Sequence, residues 1–342
     1  MNSNIINHIY KITGNLKDPL TNEIWYKNTN KFNILIKDGS VNITINIDLN
    51  DREKYEQLEL ELKNSISKID NVSSVNIVLT SEKNIKEKNF KINSKKIIAI
   101  ASGKGGVGKS TFAVNLAVAL SKIGNKVGIL DADIYGPSIP RMMGISDKPK
   151  TNDTNKLIPL ENYGIKCMSI GFLIDVDTPA IWRGPMVMKA LEQMYNGVEW
   201  GKLDYLIIDL PPGTGDAQLT LAQSSKLSGS IIVSTPQDVA LIDARKGINM
   251  FKRVDVDVLG LVENMSYFIC NNCDEKHYIF SKDGAKNEAE KFQIPFLGDI
   301  PIDKKLRLQS DEGKPCCIDD PNGEISKKYL SIAKNLDNSL IN

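Results

Sequence analysis

The chain has 342 residues, 41% of them hydrophobic and 25% charged, with a formal net charge of +1. That length holds one large domain and a smaller one, and the composition is that of a globular protein rather than a disordered or fibrous one. The balanced charge gives no expectation of a nucleic-acid or membrane-surface partner, and no apolar run reaches the length of a bilayer span. Five cysteines and a first segment, Met1 to Asn15, without the apolar core of a secretory leader argue against a disulfide framework and predict a cytoplasmic location.

Residues 1–82 read as a small α+β domain. Lys31 to Ile36 and Val41 to Leu49 predict two strands around an Asp38-Gly39 turn, the second alternating Val41, Ile43, Ile45 and Ile47. Leu58, Leu62, Ile66 and Ile69 lie at helical spacing, and Val72 to Leu79 predicts a third strand. No cysteine falls in this part, and no chemistry is assigned to it. Ser81 to Lys96 is rich in Lys, Asn and Glu with little hydrophobic periodicity, which places a linker at 83–96.

From residue 97 to 342, β and α patterns alternate. Strands are predicted at Ile97 to Ile100, Val127 to Leu130, Tyr205 to Ile208, Ile231 to Ser234 and Val258 to Val262. Helices are predicted at Thr111 to Lys122, Asp216 to Lys226, Val239 to Phe251 and Asp283 to Phe292. Alternation of this kind predicts an α/β fold, a mostly parallel, doubly wound sheet covered on both faces by helices. Ligands of such folds lie beyond the carboxyl ends of the strands.

The most telling motif sits at one of those ends. Gly103-Lys104-Gly105-Gly106-Val107-Gly108-Lys109-Ser110-Thr111 follows the Ile97 strand and opens a helix marked by Phe112, Leu116 and Leu120. Strand, glycine loop and helix together make a phosphate cradle: backbone N–H groups turn inward and the helix N-terminus adds partial positive charge. Lys109 would reach the β- and γ-phosphates, and the Ser110 hydroxyl would serve Mg²⁺. Two acidic runs, Asp131-Ala132-Asp133 and Asp209 to Asp216, follow strands directly. Phosphoryl transfer to water needs a held metal ion and an aligned water, and carboxylates flanking the loop suit both tasks.

The loop, with its early Lys104, resembles the deviant Walker A motif of the MinD/ParA/Mrp class of ATPases. The resemblance narrows through Gly136-Pro137-Ser138, Trp182-Arg183-Gly184-Pro185, Leu203-Asp204-Tyr205 and Glu263-Asn264-Met265-Ser266, which occur in order. From about Lys96 to Gly313 the chain is similar to the Mrp family of P-loop iron–sulfur carrier proteins. That resemblance implies that Lys104 crosses a homodimer interface to the partner's ATP. It also implies that Asp209 acts as the Walker B aspartate, Asp133 positions water and Asn264 contacts adenine, with Asp131 a further support for Mg²⁺. The small first domain resembles one found at the N-terminus of many Mrp-type proteins.

Cys270-Asn271-Asn272-Cys273 is the remaining constellation. Two thiolates three positions apart grip one metal centre together, but a [4Fe–4S] cluster or structural Zn²⁺ usually takes four ligands. The homodimer implied by the resemblance supplies the second pair, and the family points to a bridging [4Fe–4S] cluster delivered to apo iron–sulfur proteins with assembly factors as partners. A shared Zn²⁺, a redox pair and two inert cysteines are the other readings of the motif. His277 is read as a solvated or capping side chain rather than a ligand, Cys167 as core, and Cys316-Cys317 as outside the family pattern. A MinD/ParA-type positioning or partition switch is the alternative function, since it would share every nucleotide residue while leaving Cys270 and Cys273 without a task.

Overall fold

A computed structural model of the chain describes residues 2–20, 32–37, 39–47, 51–70, 72–80, 92–174, 184–270 and 272–341. Two compact units emerge, Met1–Lys88 and Asn89–Asn342. The first contains α1 (Asn2–Thr13), β1 (Phe32–Lys37), β2 (Ser40–Asn46), α2 (Arg52–Ile66) and β3 (Ser74–Thr80). β1 pairs antiparallel with β2, and β2 pairs parallel with β3. Val41, Ile43 and Ile45 alternate onto the buried face, where Tyr55, Leu58, Leu62 and Ile66 of α2 meet them. The sequence pattern did not predict α1, because its asparagines are poor helix formers; Ile5 and Ile9, one turn apart, bury its inner face. Asp38 of the predicted turn lies outside the described residues, while Gly39 takes the left-handed conformation with φ 77°. The carboxylate of Asp18, itself buried, accepts the Tyr55 hydroxyl at 3.1 Å and the Leu20 N–H at 2.9 Å.

In the second unit the strands are β4 (Ser94–Ala101), β5 (Val127–Asp131), β6 (Leu160–Asn162), β7 (Ile165–Ser169), β8 (Leu203–Asp209), β9 (Gly229–Ser234), β10 (Val258–Ile269), β11 (Lys276–His277) and β12 (Phe296–Ile302). The helices are α3 (Lys109–Lys122), α4 (Ile139–Met142), α5 (Gly184–Asn196), α6 (Asp216–Ser224), α7 (Asp238–Arg253), α8 (Gly284–Phe292), α9 (Lys304–Asp311), α10 (Cys316–Asp319) and α11 (Glu324–Ile341). Among the described residues these strands form one sheet in the order β11-β10-β9-β4-β8-β5-β7-β6, with β12 beside β10. All pairings are parallel except β6 with β7 and β10 with β11, at the two ends. The central strands are continuous apolar runs, as burial on both faces demands: β5 and β9 are buried throughout.

The sequence reading of 83–96 as linker overlaps the sheet at its end. Ser94 already pairs with Leu203, because parallel pairing extends wherever a neighbouring strand offers its polar backbone groups, whatever the side chains. β10 likewise continues seven residues past the predicted Val262, so Asn264 lies within a strand rather than in a turn. Residues 81–91 and the Trp182-Arg183 pair lie outside the described residues. No helix among the described residues is long and apolar enough to cross a membrane.

An ion pair between a buried carboxylate and an exposed guanidinium ties α8 to α7. Glu288 accepts from Arg245 Nε at 2.6 Å and Nη2 at 2.9 Å, and from Lys291 at 2.7 Å. The Arg245 hydrogen bonds hold its carboxyl below the ordinary glutamate value despite burial. A depressed native value stabilises the fold fully above the ordinary value near 4.3, and that contribution is lost as pH falls through the lower native one. Denaturant unfolding of Glu288→Gln is therefore expected to show a shallower loss of stability on acidification than wild type; parallel curves would refute the assignment.

Candidate functional site

The phosphate loop leaves β4 at its carboxyl end and closes on the first turn of α3. Gly106 and Gly108 take φ of 82° and 83°, a conformation open to glycine at little cost, and this turns the loop back on itself. Ser102 Oγ donates to the Lys104 carbonyl at 2.9 Å, and the Gly213 N–H donates to the Ser102 carbonyl at 2.9 Å, so the two glycine-containing loops are joined. Gly103 sits where a Cβ would strike the backbone of Asp243 on α7, a constraint no local motif discloses. Lys104 is exposed.

Lys109 and Asp209 meet at the centre of the site. Lys109 Nζ lies 2.6 Å from Asp209 Oδ1 and 3.3 Å from Ser110 Oγ, with Lys109 6% and Asp209 0% exposed. The other carboxylate oxygen, Asp209 Oδ2, is buried without a hydrogen-bond partner among the described residues. Such an orphaned anion beside a serine hydroxyl fits a site for a hard cation or its bound water.

Asp131 and Asp209 face each other in the β5–β8 register. Asp131 differs in use, however: Oδ2 accepts from the Ser138 and Ile139 N–H groups at 3.1 Å and from Ser169 Oγ at 3.0 Å, while Oδ1 accepts from the Asp133 N–H at 3.2 Å. It organises the loop from Asp133 to Ile139, which leaves its oxygens committed rather than presented to Mg²⁺. Burial and the charge of Asp209 push its carboxyl well above the ordinary range. Asp133 is half-buried; burial raises its carboxyl and the charge of Lys109 opposes the rise.

β10 carries the next two groups. Asn264 Nδ2 donates to the Val107 carbonyl at 2.8 Å, packing its amide on the phosphate loop. The buried Glu263 accepts from Ser266 Oγ at 2.5 Å and from the Ala285 N–H at 2.6 Å at the start of α8. The sequence reading gave Glu263 no task, since a strand carboxylate looks solvated until α8 is packed on it. Gly108→Ala would place a methyl group on Asn264 Nδ2 and force a left-handed alanine, which alone costs about 1–2 kcal/mol. A lower melting temperature and weakened ATP binding are expected; a variant matching wild type in both would refute this packing.

Six residues beyond Asn264, past the end of β10 at Ile269, lies the cysteine loop. Cys270 N–H donates to the Glu275 carbonyl at 3.0 Å and Asp274 N–H to the Cys270 carbonyl at 2.9 Å, with Asp274 at φ 57° closing the turn. Backbone N–H groups of Asn272 and Cys273 point at the Cys270 sulfur and, with the Cys273 thiol, hold the Cys270 thiol below its ordinary value. The ligand atoms of Cys270, Cys273 and His277 all lie within 4.8 Å of one another. The other cysteines are elsewhere: Cys167 is buried in β7, and Cys316 and Cys317 are buried on α10 with their sulfurs 4.0 Å apart.

Comparison with known proteins bears on the second unit. The family model described as "NUBPL iron-transfer P-loop NTPase" matches residues 93–337. The chain is 57% identical over 244 residues to the "Iron-sulfur cluster transfer protein NUBPL" of Dictyostelium discoideum, covering 71% of this chain and 76% of the relative. It is 53% identical to the "Iron-sulfur cluster carrier protein" of Aquifex aeolicus, over 70% of this chain and 66% of that one. Among solved structures, the nucleotide-binding protein of Archaeoglobus fulgidus in complex with ADP is similar at 42% identity and a TM-score of 0.61, covering 70% of this chain and 94% of that one.

Proposed function

The chain belongs to the NUBPL iron-transfer P-loop NTPase family, and we propose that it carries a [4Fe–4S] cluster to apo iron–sulfur proteins in a cycle driven by ATP. The observation that carries the reading is that one strand, β10, carries the phosphate-loop contact Asn264 and runs directly into the loop that holds the thiol pair Cys270 and Cys273. A nucleotide-dependent movement of the loop therefore has a direct mechanical route to the thiols. Between Asn264 and Phe268 the β10–β12 register shifts, and Met265 takes φ 54°, so the strand is irregular between the two sites.

Lys109 and Asp209 form the resting pair, and the phosphates of ATP compete with Asp209 for the ammonium group. As Lys109 turns to phosphate, Asp209 is released toward the metal position with Ser110. Mg²⁺, when bound, neutralises charge on the β- and γ-phosphates. Asp133 would orient the attacking water, and the exposed Lys104 would reach a second copy of the chain and contact its ATP. Asn264 would leave the Val107 carbonyl or extend from it to the adenine edge, for which an amide offers both donor and acceptor. Gly103, Gly105, Gly106, Val107, Gly108 and Thr111 complete the cradle.

Two copies of the chain supply four thiolates, enough for one cluster. Relatives 53–57% identical carry cluster carrier or transfer names, which favours this function over a MinD/ParA-type partition switch. Anaerobic reconstitution with iron and sulfide tests it: about four irons per dimer with broad thiolate-to-iron absorption are expected. A protein that takes up zinc alone, or no metal, overturns the reading.

A further inference from the structure

We propose that Cys270, Cys273 and His277 of a single chain form a three-ligand site for one borderline-soft divalent cation, such as iron(II), cobalt(II) or zinc(II), with the fourth position open. This deepens the carrier reading, since it uses the same two cysteines, but it requires neither a second copy nor a nucleotide.

The hairpin sets the geometry. β10 and β11 pair antiparallel, with Phe268 opposite His277 and Ile269 opposite Lys276. The turn beyond them is closed by the Cys270–Glu275 and Asp274–Cys270 backbone bonds, which bring a residue four positions after Cys273 back beside the thiols. β11 is itself pinned: Lys276 Nζ stands 4.7 Å from the centre of the Tyr267 ring, and Tyr267 is 3% exposed. Successive strand residues point to opposite faces, so seating Lys276 on Tyr267 turns His277 away from that ring.

The donor set fits a tetrahedral ion. Metal–sulfur bonds of about 2.3 Å and metal–nitrogen bonds of about 2.0 Å put tetrahedral ligand atoms about 3.5–3.8 Å apart. The three atoms, within 4.8 Å here, need to close by at most about 1.3 Å to reach that arrangement. Among the described residues this is the one group of three or more such side chains gathered closely enough for a metal ion. Cys273 and His277 are exposed and Cys270 is half-buried, so the fourth position faces solvent. Three protein ligands with an open position are the arrangement of an exchangeable rather than a sealed metal site. A thiolate of an accepting protein could take that position, which suits an ion that is handed on.

The test is an anaerobic cobalt(II) titration of the full chain without nucleotide, over a range of protein concentrations with the oligomeric state followed by sedimentation. One ion per chain is expected at every concentration, with thiolate-to-cobalt absorption and the intense visible bands of tetrahedral cobalt. His277→Ala should keep the thiolate absorption but lose at least about tenfold in affinity, and the hyperfine-shifted imidazole proton signal should vanish from its NMR spectrum. His277→Cys should restore affinity with stronger thiolate absorption. One ion per two chains, or a His277→Ala variant equal to wild type in affinity and spectrum, overturns the proposal. Cluster uptake separates the two readings: wild type that reconstitutes a cluster while His277 proves irrelevant to cobalt refutes only this site. Wild type that binds cobalt through His277 but takes no cluster refutes only the carrier function.

Discussion

Replacing Cys270 and Cys273 together with serine is expected to abolish cluster uptake while leaving the fold and nucleotide binding intact. The pair lies in a loop at the tip of a two-strand hairpin, and neither sulfur contributes to the apolar core of its unit. Serine keeps the size and the hydrogen bonding of the turn but is a far weaker ligand for iron than thiolate. The double variant should therefore unfold at the same denaturant concentration as wild type, bind ATP with the same affinity, and reconstitute to less than a tenth of the wild-type iron content, roughly the background of adventitious binding. Iron and sulfide analysis with visible absorption provides the readout. Retention of the wild-type spectrum would locate the cluster on other residues, and Cys316 and Cys317, buried on α10, would then need to be examined.

Lys109→Ala is the second large effect, and it has two separable parts. The first concerns chemistry: a preorganised charge aimed at the transferring phosphoryl group contributes about 10²–10³ to turnover in comparable sites, so ATP hydrolysis should fall by that order. The second concerns stability. The Lys109 ammonium is the partner of a fully buried carboxylate, and removing one member of such a pair costs about 3–5 kcal/mol. Asp131 tempers this loss, because burial and the charge of Asp209 already raise its own carboxyl, so it takes up a proton more readily than an ordinary aspartate. The double variant Lys109→Ala/Asp209→Asn should then recover part of the lost stability and none of the hydrolysis. Denaturant unfolding and steady-state turnover measured on the same three proteins check this. If Lys109→Ala were as stable as wild type, the ion pair would not be the resting state.

Much of this site is legible without coordinates because phosphate binding is a local affair. A strand, a run of glycines and a helix N-terminus are contiguous in sequence, so Gly103 to Thr111 announce the cradle directly. The paired cysteines are local in the same sense. What resists reading is whatever depends on register between strands far apart in the chain. Asp131 and Asp209 have equivalent sequence contexts, each ending an apolar strand, yet one is wrapped by four hydrogen-bond donors and the other has an oxygen left over. Three of those four donors come from the way the loop after Asp131 folds back on it, and the fourth, Ser169 Oγ, from the end of β7 packed beside β5.

The sequence by itself determined the α/β class, five of the strands (β4, β5, β8, β9 and β10) and four of the helices (α3, α6, α7 and α8) of the second unit, the phosphate loop and the pair of thiols. These follow from periodicity, glycine placement and residue spacing, all of which act over a few turns of chain. Tertiary structure alone decided that Lys109 rests on Asp209 one hundred residues away, that Asn264 lies against the phosphate loop, and that His277 returns to the cysteines. Each of these is a contact between polar groups whose partner is chosen by sheet register and hairpin closure, and buried polar groups take whichever partner the apolar packing brings within reach.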